Sequence, residues 1–313
     1  MERNARIYVA GARGLVGGAI LRRLQAEGYT QLITRTSAEL DLRNQAAVEA
    51  FFAKEKPEYV FLAAAKVGGI LANSTYPVDF LSDNLRIQTN VMDAAREVGV
   101  ERLLFLGSSC IYPKFAPQPI REDALLTGHL EPTNDAYAIA KIAGILHVQS
   151  VRRQDGLPWI SAMPTNLYGP NDNFSPLGSH VLPALIRRYD EAAAAGTPSV
   201  TNWGTGTPRR EFLHADDLAS ALLHLMEHYD GAEHVNVGTG TDVTIREIAE
   251  TIADVVGFQG ETEWDTGKPD GTPQKLLDVS RLASTGWTSS IDLREGLERT
   301  VQWYREHHAT IRG

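Results

Sequence analysis

The first half of the chain alternates short apolar runs with segments in which apolar residues recur at helical spacing. The runs at residues 59–65 and 103–106 are continuously apolar, which is typical of strands buried on both faces of a sheet. Strands that alternate with helices predict an α/β fold with a parallel, doubly wound sheet and right-handed crossovers. The predicted strands are residues 7–10, 31–34, 59–65 and 103–106, and the predicted helices lie around 19–24, 46–54 and 81–98.

This alternation stops after residue 163, where prolines, glycines and asparagines become frequent. Such a loop-rich stretch indicates that the chain leaves the sheet and begins a second, smaller domain. Residues 212–227 and 235–238 predict a helix and a strand that return to the first domain, and helices near 244–256 and 293–306 complete the second. We therefore assign residues 1–165 and about 211–240 to the first domain, and about 166–210 and 241–313 to the second.

Composition narrows the function classes. The 313 residues carry 30 Lys and Arg against 39 Asp and Glu, and this net charge of −9 gives no general attraction to nucleic acid or to an anionic membrane surface. The 43% of hydrophobic residues can form a sizeable core, but no apolar run approaches the roughly 20 residues needed to span a bilayer. Cys110 is the one cysteine, so no intrachain disulfide can form. We expect a soluble cytoplasmic protein without a metal site.

A glycine-rich segment lies between the first predicted strand and the first predicted helix. Gly11, Gly14 and Gly17 follow the spacing GxxGxxG, where glycines let the backbone approach a pyrophosphate and the helix N-terminus offers N–H donors. The alternative is a tight turn without a ligand. Because of its position in a βαβ unit, we predict a dinucleotide site formed by Gly11, Ala12, Arg13, Gly14, Leu15, Val16 and Gly17.

The end of the second predicted strand bears on the choice between NAD and NADP. An acidic residue there would bind the ribose 2′-hydroxyl of NAD, but no acid occurs before Glu39. Arg13 and Arg35 instead predict a 2′-phosphate contact, because guanidinium groups suit phosphate geometry, although both could be ordinary solvated arginines. We therefore favour NADP(H), with Asp41 and Leu42 beside the adenine.

Tyr137 and Lys141 are four residues apart, so on a helix they share one face. A phenol with a pKa of about 10 needs a nearby cation to relay protons near neutral pH, and Lys141 could lower that pKa and also bind the nicotinamide ribose. Ser108 follows the strand at 103–106, at the sheet edge where ligands bind. A Tyr/Lys pair alone is usually just a helix surface, but its place after a dinucleotide-binding half predicts a catalytic site.

These residues resemble those of the extended short-chain dehydrogenase/reductases, with Ser108, Tyr137 and Lys141 as the triad. The resemblance implies a Rossmann-type sheet that binds NADP(H) and a smaller C-terminal α/β domain that binds a nucleotide sugar. It also implies that the segment PTNLYGP (164–170) lines the nicotinamide and turns into the substrate domain. The further cofactor contacts that we expect are Ser37, Ala63, Ala64, Leu106, Gly107, Ser109, Pro164, Thr165, Asn166, Leu167 and His180.

Longer motifs are similar to those of the GDP-L-fucose synthase family and span nearly the whole chain. They are AAAKVGGI (63–70), GSSCIYP (107–113), EPTN (131–134), NWGTG (202–206), RREFLH (209–214) and KPDGTP (268–273). This family epimerises GDP-4-keto-6-deoxy-D-mannose at carbons 3 and 5 and reduces carbon 4 with NADPH. Its members are homodimers, which implies pairing through the helices near 81–98 and 137–153.

The resemblance also implies roles for single residues. Cys110 would be the base and His180 the acid of epimerisation, although from sequence alone each is more often structural. Arg188, Trp203, Arg210 and Asp270 would bind the substrate. Two alternatives stay open here, because Arg187 could replace Arg188 and Trp203 could belong to the core. Ser37 stands where some relatives carry a further arginine, which bears on the strength of NADP preference.

Two other function classes compete with this interpretation. The first is another NAD(P)-dependent nucleotide-sugar epimerase or reductase. A 4,6-dehydratase is expected to carry an acidic residue where Ser109 and Cys110 stand in this chain. A 4-epimerase would hold NAD tightly. A non-catalytic redox sensor would bind the dinucleotide, but such proteins typically lack the Tyr/Lys pair that this chain retains.

Overall fold

The computed structural model describes residues 1–176 and 178–308. Strands and helices alternate through the first half of the chain as the apolar pattern predicts. The strands are β1 (Arg6–Ala10), β2 (Gln31–Ile33), β3 (Tyr59–Leu62), β4 (Arg102–Leu106), β5 (Ile160–Pro164), β6 (Asn166–Tyr168), β7 (Ser199–Trp203), β8 (Arg209–His214), β9 (Val235–Val237), β10 (Asp242–Thr244), β11 (Glu261–Asp265) and β12 (Gln274–Lys275). The helices are α1 (Leu15–Ala26), α2 (Gln45–Glu55), α3 (Ile70–Thr75), α4 (Pro77–Glu97), α5 (Asp135–Asp155), α6 (Val181–Ala195), α7 (Ala215–His228), α8 (Ile245–Val256), α9 (Ser280–Ser284) and α10 (Leu293–His307).

The central sheet has six parallel strands in the order β2-β1-β3-β4-β5-β9. Successive side chains of a strand point to opposite faces, and each face has its own core. On β4, Leu103 and Phe105 pack with α2, α4 and α5, whereas Leu104 and Leu106 pack with α1 and α7. Helices therefore cover both faces, which confirms the predicted doubly wound α/β fold.

The second half of the chain builds smaller sheets beside the first. β8 pairs with β6, β10 and β12, and β7 pairs with β11. A third apolar core lies among α6, α8 and α10. The proposed domain boundary near residue 211 falls within β8, whose carboxyl end leads into α7 against the central sheet. Within residues 1–176 and 178–308, the helices are all too short or too polar to cross a membrane.

Two predicted elements differ from the observed ones. The strand predicted over 59–65 ends at Leu62, because the chain leaves the sheet at the edge where the glycine loop lies. The helix predicted over 212–227 begins only at Ala215, because residues 212–214 belong to β8. Buried residues at consecutive positions suit a strand covered on both faces as well as a buried helix. The local pattern therefore did not distinguish a strand from a helix at residues 212–214.

Candidate active site

The glycine loop packs closely against the end of β3. Gly11 has a φ of +85°, and a Cβ there would lie 2.9 Å from the backbone nitrogen of Ala64. A Cβ on Gly17 would lie 2.2 Å from the carbonyl oxygen of Gly11, so neither position accepts a side chain without a shift. Gly14 begins α1 without a side-chain cap, which leaves the first N–H groups of this 12-residue helix for a ligand. This arrangement fits the pyrophosphate of a dinucleotide.

Arg13 and Arg35 lie at the predicted 2′-phosphate site in different environments. Arg35 donates hydrogen bonds to Glu55 at 2.6 Å and to the Thr34 carbonyl at 2.7 Å, whereas Arg13 is exposed. Both guanidinium groups contribute to holding the pKa of Glu39 below its usual range, after the larger effect of hydrogen bonds from Thr36. Two cations therefore lie at this part of the site together with two carboxylates, those of Glu39 and Glu55.

The residues expected beside the adenine are already engaged within the protein. Both carboxylate oxygens of Asp41 accept hydrogen bonds from Arg43 at 2.9 Å, and these bonds lower the pKa of Asp41. The Leu42 carbonyl accepts a hydrogen bond of 2.9 Å from Asn90 on α4. An adenine amino group would share an Asp41 oxygen with Arg43. Ser37 is exposed nearby.

The Ser108 hydroxyl stands between the two candidate reactive groups. Ser108 begins a short 3-10 turn, Ser109–Ile111, and its Oγ accepts a hydrogen bond of 3.4 Å from the Cys110 backbone nitrogen. The Ser108 side chain also lowers the pKa of both the Tyr137 phenol and the Cys110 thiol, so it lies close to both groups. The structure thus brings Tyr137 on α5 together with Ser108 and Cys110, which lie in one turn after β4.

Lys141 lies on α5, four residues after Tyr137, and is 4% exposed. Its ammonium nitrogen lies 5.7 Å from the Tyr137 ring centroid and donates a hydrogen bond of 2.7 Å to the Leu106 carbonyl. Burial lowers the pKa of Lys141 to about 8. In contrast to the predicted lowering, the pKa of Tyr137 is raised, because burial of the phenol outweighs the lowering effect of Ser108.

Burial also raises the pKa of the Cys110 thiol, so a cation is needed to favour the thiolate. The largest effect in that direction comes from Lys275 on β12, followed by the Ser108 hydrogen bond and Lys141. Sequence reasoning missed Lys275. It lies two residues beyond the KPDGTP motif, and no local pattern distinguishes it from a surface lysine.

His180 immediately precedes α6 and is exposed. The backbone nitrogen of Gly69 donates a hydrogen bond of 3.2 Å to the Gly178 carbonyl, which holds the segment before His180 against the loop that follows β3. Desolvation lowers the pKa of His180. In the described part of the chain, no hydrogen bond joins His180 to Ser108, Cys110 or Tyr137.

The predicted nicotinamide segment connects the two halves of the molecule. Thr165 and Asn166 both donate side-chain hydrogen bonds to the Glu211 carbonyl, and the Thr165 backbone nitrogen donates to Val237. Gly107 donates to the Ala162 carbonyl at 2.9 Å. The other predicted cofactor contacts lie in strands or at their ends. The Ala63 backbone nitrogen donates a hydrogen bond to the Ala10 carbonyl at the end of β1, and Leu167 pairs with Leu213. Pro164 is the last residue of β5 and Leu106 the last of β4, three residues before the buried Ser109.

Sequence reasoning also missed the role of Glu211, which it included only as part of the RREFLH motif. It is fully buried, and its carboxylate accepts hydrogen bonds from the backbone nitrogens of Gly240 at 2.7 Å and Leu277 at 3.1 Å. Burial raises its pKa despite these bonds. Its side chain therefore ties β8 to the loop after β9 and to the chain after β12.

The candidate substrate residues lie around β7 and β8. Trp203 is 72% exposed, which excludes the core position left open by its sequence. Arg188 donates a hydrogen bond of 2.8 Å to Asn202, beside Trp203, whereas Arg187 lies 4.0 Å from Glu191 on its own helix. Asp270 accepts hydrogen bonds from the backbone and hydroxyl of Thr205 at 2.9 and 2.7 Å, and Arg210 donates to the Thr272 carbonyl at 2.7 Å.

Comparisons with known proteins identify the family of the chain. The family model described as "NAD dependent epimerase/dehydratase family" matches residues 7–238. GDP-L-fucose synthase 1 of Arabidopsis thaliana is 63% identical over 97% of this chain and 94% of its own length. GDP-L-fucose synthase of Escherichia coli strain K12 is 55% identical over 98% and 99%.

A solved structure extends the similarity to the fold. The GDP-L-fucose synthetase of Naegleria fowleri, bound to NADP, superposes with a TM-score of 0.92 at 29% identity and covers all of this chain and 98% of its own. The chain therefore belongs to the NAD dependent epimerase/dehydratase family, among the relatives of GDP-L-fucose synthase that its motifs predicted.

Proposed function

We propose that the protein makes GDP-L-fucose from GDP-4-keto-6-deoxy-D-mannose, by epimerisation at carbons 3 and 5 and NADPH-dependent reduction at carbon 4. The observation that carries this proposal is the position of the Ser108 side chain, which accepts a hydrogen bond from the Cys110 backbone nitrogen and lowers the pKa of both the Cys110 thiol and the Tyr137 phenol. A proton-abstracting group and a proton-donating group thereby surround one point where a keto oxygen can be held. The relatives that are 63% and 55% identical to this chain are named GDP-L-fucose synthases, which supports the same activity here.

Epimerisation begins at carbons next to the ketone, whose protons are acidified because the resulting anion is an enolate. In the proposed mechanism the Cys110 thiolate removes the proton, and the Ser108 and Tyr137 hydroxyls donate hydrogen bonds to the 4-oxygen where the negative charge develops. His180 returns a proton on the opposite face. Its position in front of α6, on a different element from Ser108 and Cys110, supports a substrate that lies between the two groups.

Reduction uses the same carbonyl. The glycine loop and the carboxyl edge of the sheet would hold NADPH, which when bound would supply the hydride for carbon 4. Tyr137 donates its phenolic proton to the 4-oxygen while Ser108 keeps that oxygen in place. Lys141 is fixed to the Leu106 carbonyl, so its ammonium group can hold the cofactor ribose and support the charge that Tyr137 acquires.

The nucleotide end of the substrate would lie across β7 and β8. Arg188 and Arg210 would contact the diphosphate, Trp203 would pack against the base or sugar, and Asp270 would accept a hydrogen bond from a hydroxyl. Exposure of the indole, the bond of Arg188 to Asn202 on β7 and the bond of Arg210 on β8 to the Thr272 carbonyl support this arrangement.

The decisive experiment adds GDP-4-keto-6-deoxy-D-mannose and NADPH to the purified protein in deuterated water. We expect cofactor oxidation and GDP-L-fucose with deuterium at carbons 3 and 5, identified by NMR. Reduction without inversion would instead indicate a 4-reductase of another nucleotide sugar. NADPH binding without any turnover would contradict the proposed substrate.

The proposal extends to a homodimer in the cytoplasm. Ile139 and Leu146 on α5 are 46% and 42% exposed and lie seven residues apart, hence on one helix face, next to the partly exposed Ala143. α4 packs beside α5, and the two helices together could pair with those of a second copy. The single cysteine supports a reducing compartment.

A further inference from the structure

The six-residue helix α3 has one buried residue, and that residue is polar. Asn73 is 7% exposed, whereas Ile70 and Leu71 on the same helix are 67% and 61% exposed. Apolar packing therefore contributes little to the position of α3. The Oδ1 atom of Asn73 is buried and has no hydrogen-bond partner within residues 1–176 and 178–308. Because such an acceptor destabilises a fold, the amide is better explained by what its donor group holds than by stability.

The donor group of Asn73 fixes the turn that precedes α3. Its Nδ2 atom donates hydrogen bonds to the carbonyl oxygens of Gly68 at 2.7 Å and of Gly69 at 3.0 Å. Glycine has more backbone freedom than any other residue, so two consecutive glycines need an external restraint to keep one conformation. The two bonds from one side chain supply that restraint.

Gly69 in turn contacts the segment that leads to His180. Its backbone nitrogen donates a hydrogen bond of 3.2 Å to the Gly178 carbonyl, and a Cβ on Gly69 would lie 3.0 Å from the carbonyl oxygen of Ser179. His180 follows directly and precedes α6. A series of direct contacts therefore runs from Asn73 through Gly69 to the two residues before His180.

The other bonds of this segment are local. The Asn173 side chain donates to the Gly178 carbonyl at 3.2 Å, and the Gly178 backbone nitrogen donates to the Ser175 hydroxyl oxygen at 3.2 Å. These partners lie only five and three residues before Gly178, so they shape the loop without fixing it to the central sheet. The bond from Gly69 instead joins the segment to the loop that follows β3.

The part of that loop nearer to β3 is fixed independently of Asn73. Asn84 on α4 accepts a hydrogen bond of 2.8 Å from the Lys66 backbone nitrogen and donates one of 3.0 Å to the Lys66 carbonyl. The predicted cofactor contacts Ala63 and Ala64 lie between Lys66 and β3. Loss of the Asn73 bonds should therefore release the turn at Gly68 and leave NADPH binding intact.

We propose that Asn73 is a positioning residue that acts through His180, by holding the Gly68–Gly69 turn against the segment that places this histidine for proton return. The inference rests on the proposed function for the role of His180. In that role the electron pair of the enolate forms a C–H bond with the proton of the His180 imidazolium, and the imidazole regains a proton from water. Asn73 keeps its own protons throughout.

Hydrogen–deuterium exchange of the free protein tests the contact without substrate. We expect Asn73→Ala to raise deuterium uptake about twofold or more in peptides covering residues 66–76 and 178–186, and to leave uptake over residues 293–306 of α10 unchanged. Ser74→Ala is the matched control, because the Ser74 hydroxyl donates to carbonyls of its own helix and should not affect residues 178–186. Raised uptake confined to residues 66–76 would overturn the proposal.

A second measurement separates inversion from proton removal. With GDP-4-keto-6-deoxy-D-mannose and NADPH in deuterated water, Cys110 should still exchange the protons at carbons 3 and 5 in the Asn73→Ala protein. Inversion at these carbons should fall about tenfold relative to exchange, because a displaced His180 returns the proton poorly. An unchanged ratio of inversion to exchange, whether both rates fall or neither does, would overturn the proposal.

Gly69→Ala covers the case in which Asn73→Ala does not fold. Its Cβ would press on the Ser179 carbonyl and leave the Asn73 side chain in place, so it should lower the same ratio. NADPH binding checks that each variant is folded. If the wild-type protein makes no GDP-L-fucose but Asn73→Ala raises uptake in both peptides, the link between Asn73 and the His180 segment is upheld and the proposed function is rejected instead.

Discussion

Lys141 Nζ donates a 2.7 Å hydrogen bond to the carbonyl oxygen of Leu106, two residues before Ser108. This bond fixes α5, which carries Tyr137, to the end of β4, which leads into the serine turn. A second buried bond, from the Gln88 side chain to the Ala140 carbonyl at 2.7 Å, fixes α5 to α4. The distance between the Tyr137 and Ser108 hydroxyls is therefore set by the sheet and its helices and does not depend on a mobile loop.

Tyr137→Phe should separate the two half-reactions. Loss of the phenolic proton removes the acid for reduction, so kcat for NADPH oxidation should fall by about 100-fold or more. Some solvent deuterium exchange at carbons 3 and 5 should remain, because Cys110 and Ser108 stay in place. NMR of the recovered substrate measures this exchange, and reduction at the wild-type rate would exclude Tyr137 as the acid.

Cys110→Ser should have the opposite effect. A serine hydroxyl is a far weaker base, so deuterium exchange should be lost, and any reduced sugar should keep its original configuration at carbons 3 and 5. The substitution keeps the side chain small, and the NADPH affinity should stay unchanged. Exchange at the wild-type rate would show that another group is the base.

Arg13 should determine much of the preference for NADP. It is exposed and donates no hydrogen bond within the described residues, whereas Arg35 is held by Glu55. Arg13→Ala should raise KM for NADPH about tenfold and leave KM for NADH nearly unchanged, since only the former carries the 2′-phosphate. Arg23→Ala, on the helix that follows the glycine loop and paired with Glu27, is the matched control. Equal losses with both cofactors would count against a 2′-phosphate contact.

The sequence was most informative where a single local segment determines the structure. The glycine spacing predicts the loop before α1, because the close approach of Gly11 to Ala64 and of Gly17 to Gly11 depends on the absence of side chains. The Tyr137 and Lys141 spacing likewise predicts their shared face on α5. These features follow from backbone geometry within one βαβ unit or one helix.

Features that depend on distant contacts were not predictable in the same way. Lys275 acts on Cys110 across 165 positions of sequence, and Glu211 binds the nitrogens of Gly240 and Leu277. The wrong helix start at residue 212 has the same origin, since the pairing of β8 with β6 overrides the local pattern. The raised pKa of Tyr137 also depends on burial, which no spacing shows.

A charged residue on the exposed face of α5 should disrupt the proposed homodimer. Introducing glutamates with Ile139→Glu and Leu146→Glu would bury charges in an apolar interface, so light scattering after gel filtration should show a monomer. Leu126→Glu, at an exposed leucine outside these helices, should leave the mass unchanged. A wild-type protein that already has the mass of one chain would contradict the proposal directly.

The buried His234 should make the protein less stable in acid. Its Nε2 lies 2.9 Å from the Tyr112 hydroxyl, and burial lowers its pKa from 6.5 to about 4. Between these values the unfolded chain binds more protons than the folded one, so the free energy of unfolding should fall as pH decreases from about 6.5 to 4, by up to about 3 kcal/mol. His234→Gln, which cannot be protonated, should show a smaller decrease in urea titrations across this range. The two proteins would have parallel pH profiles if His234 titrated normally in the folded state.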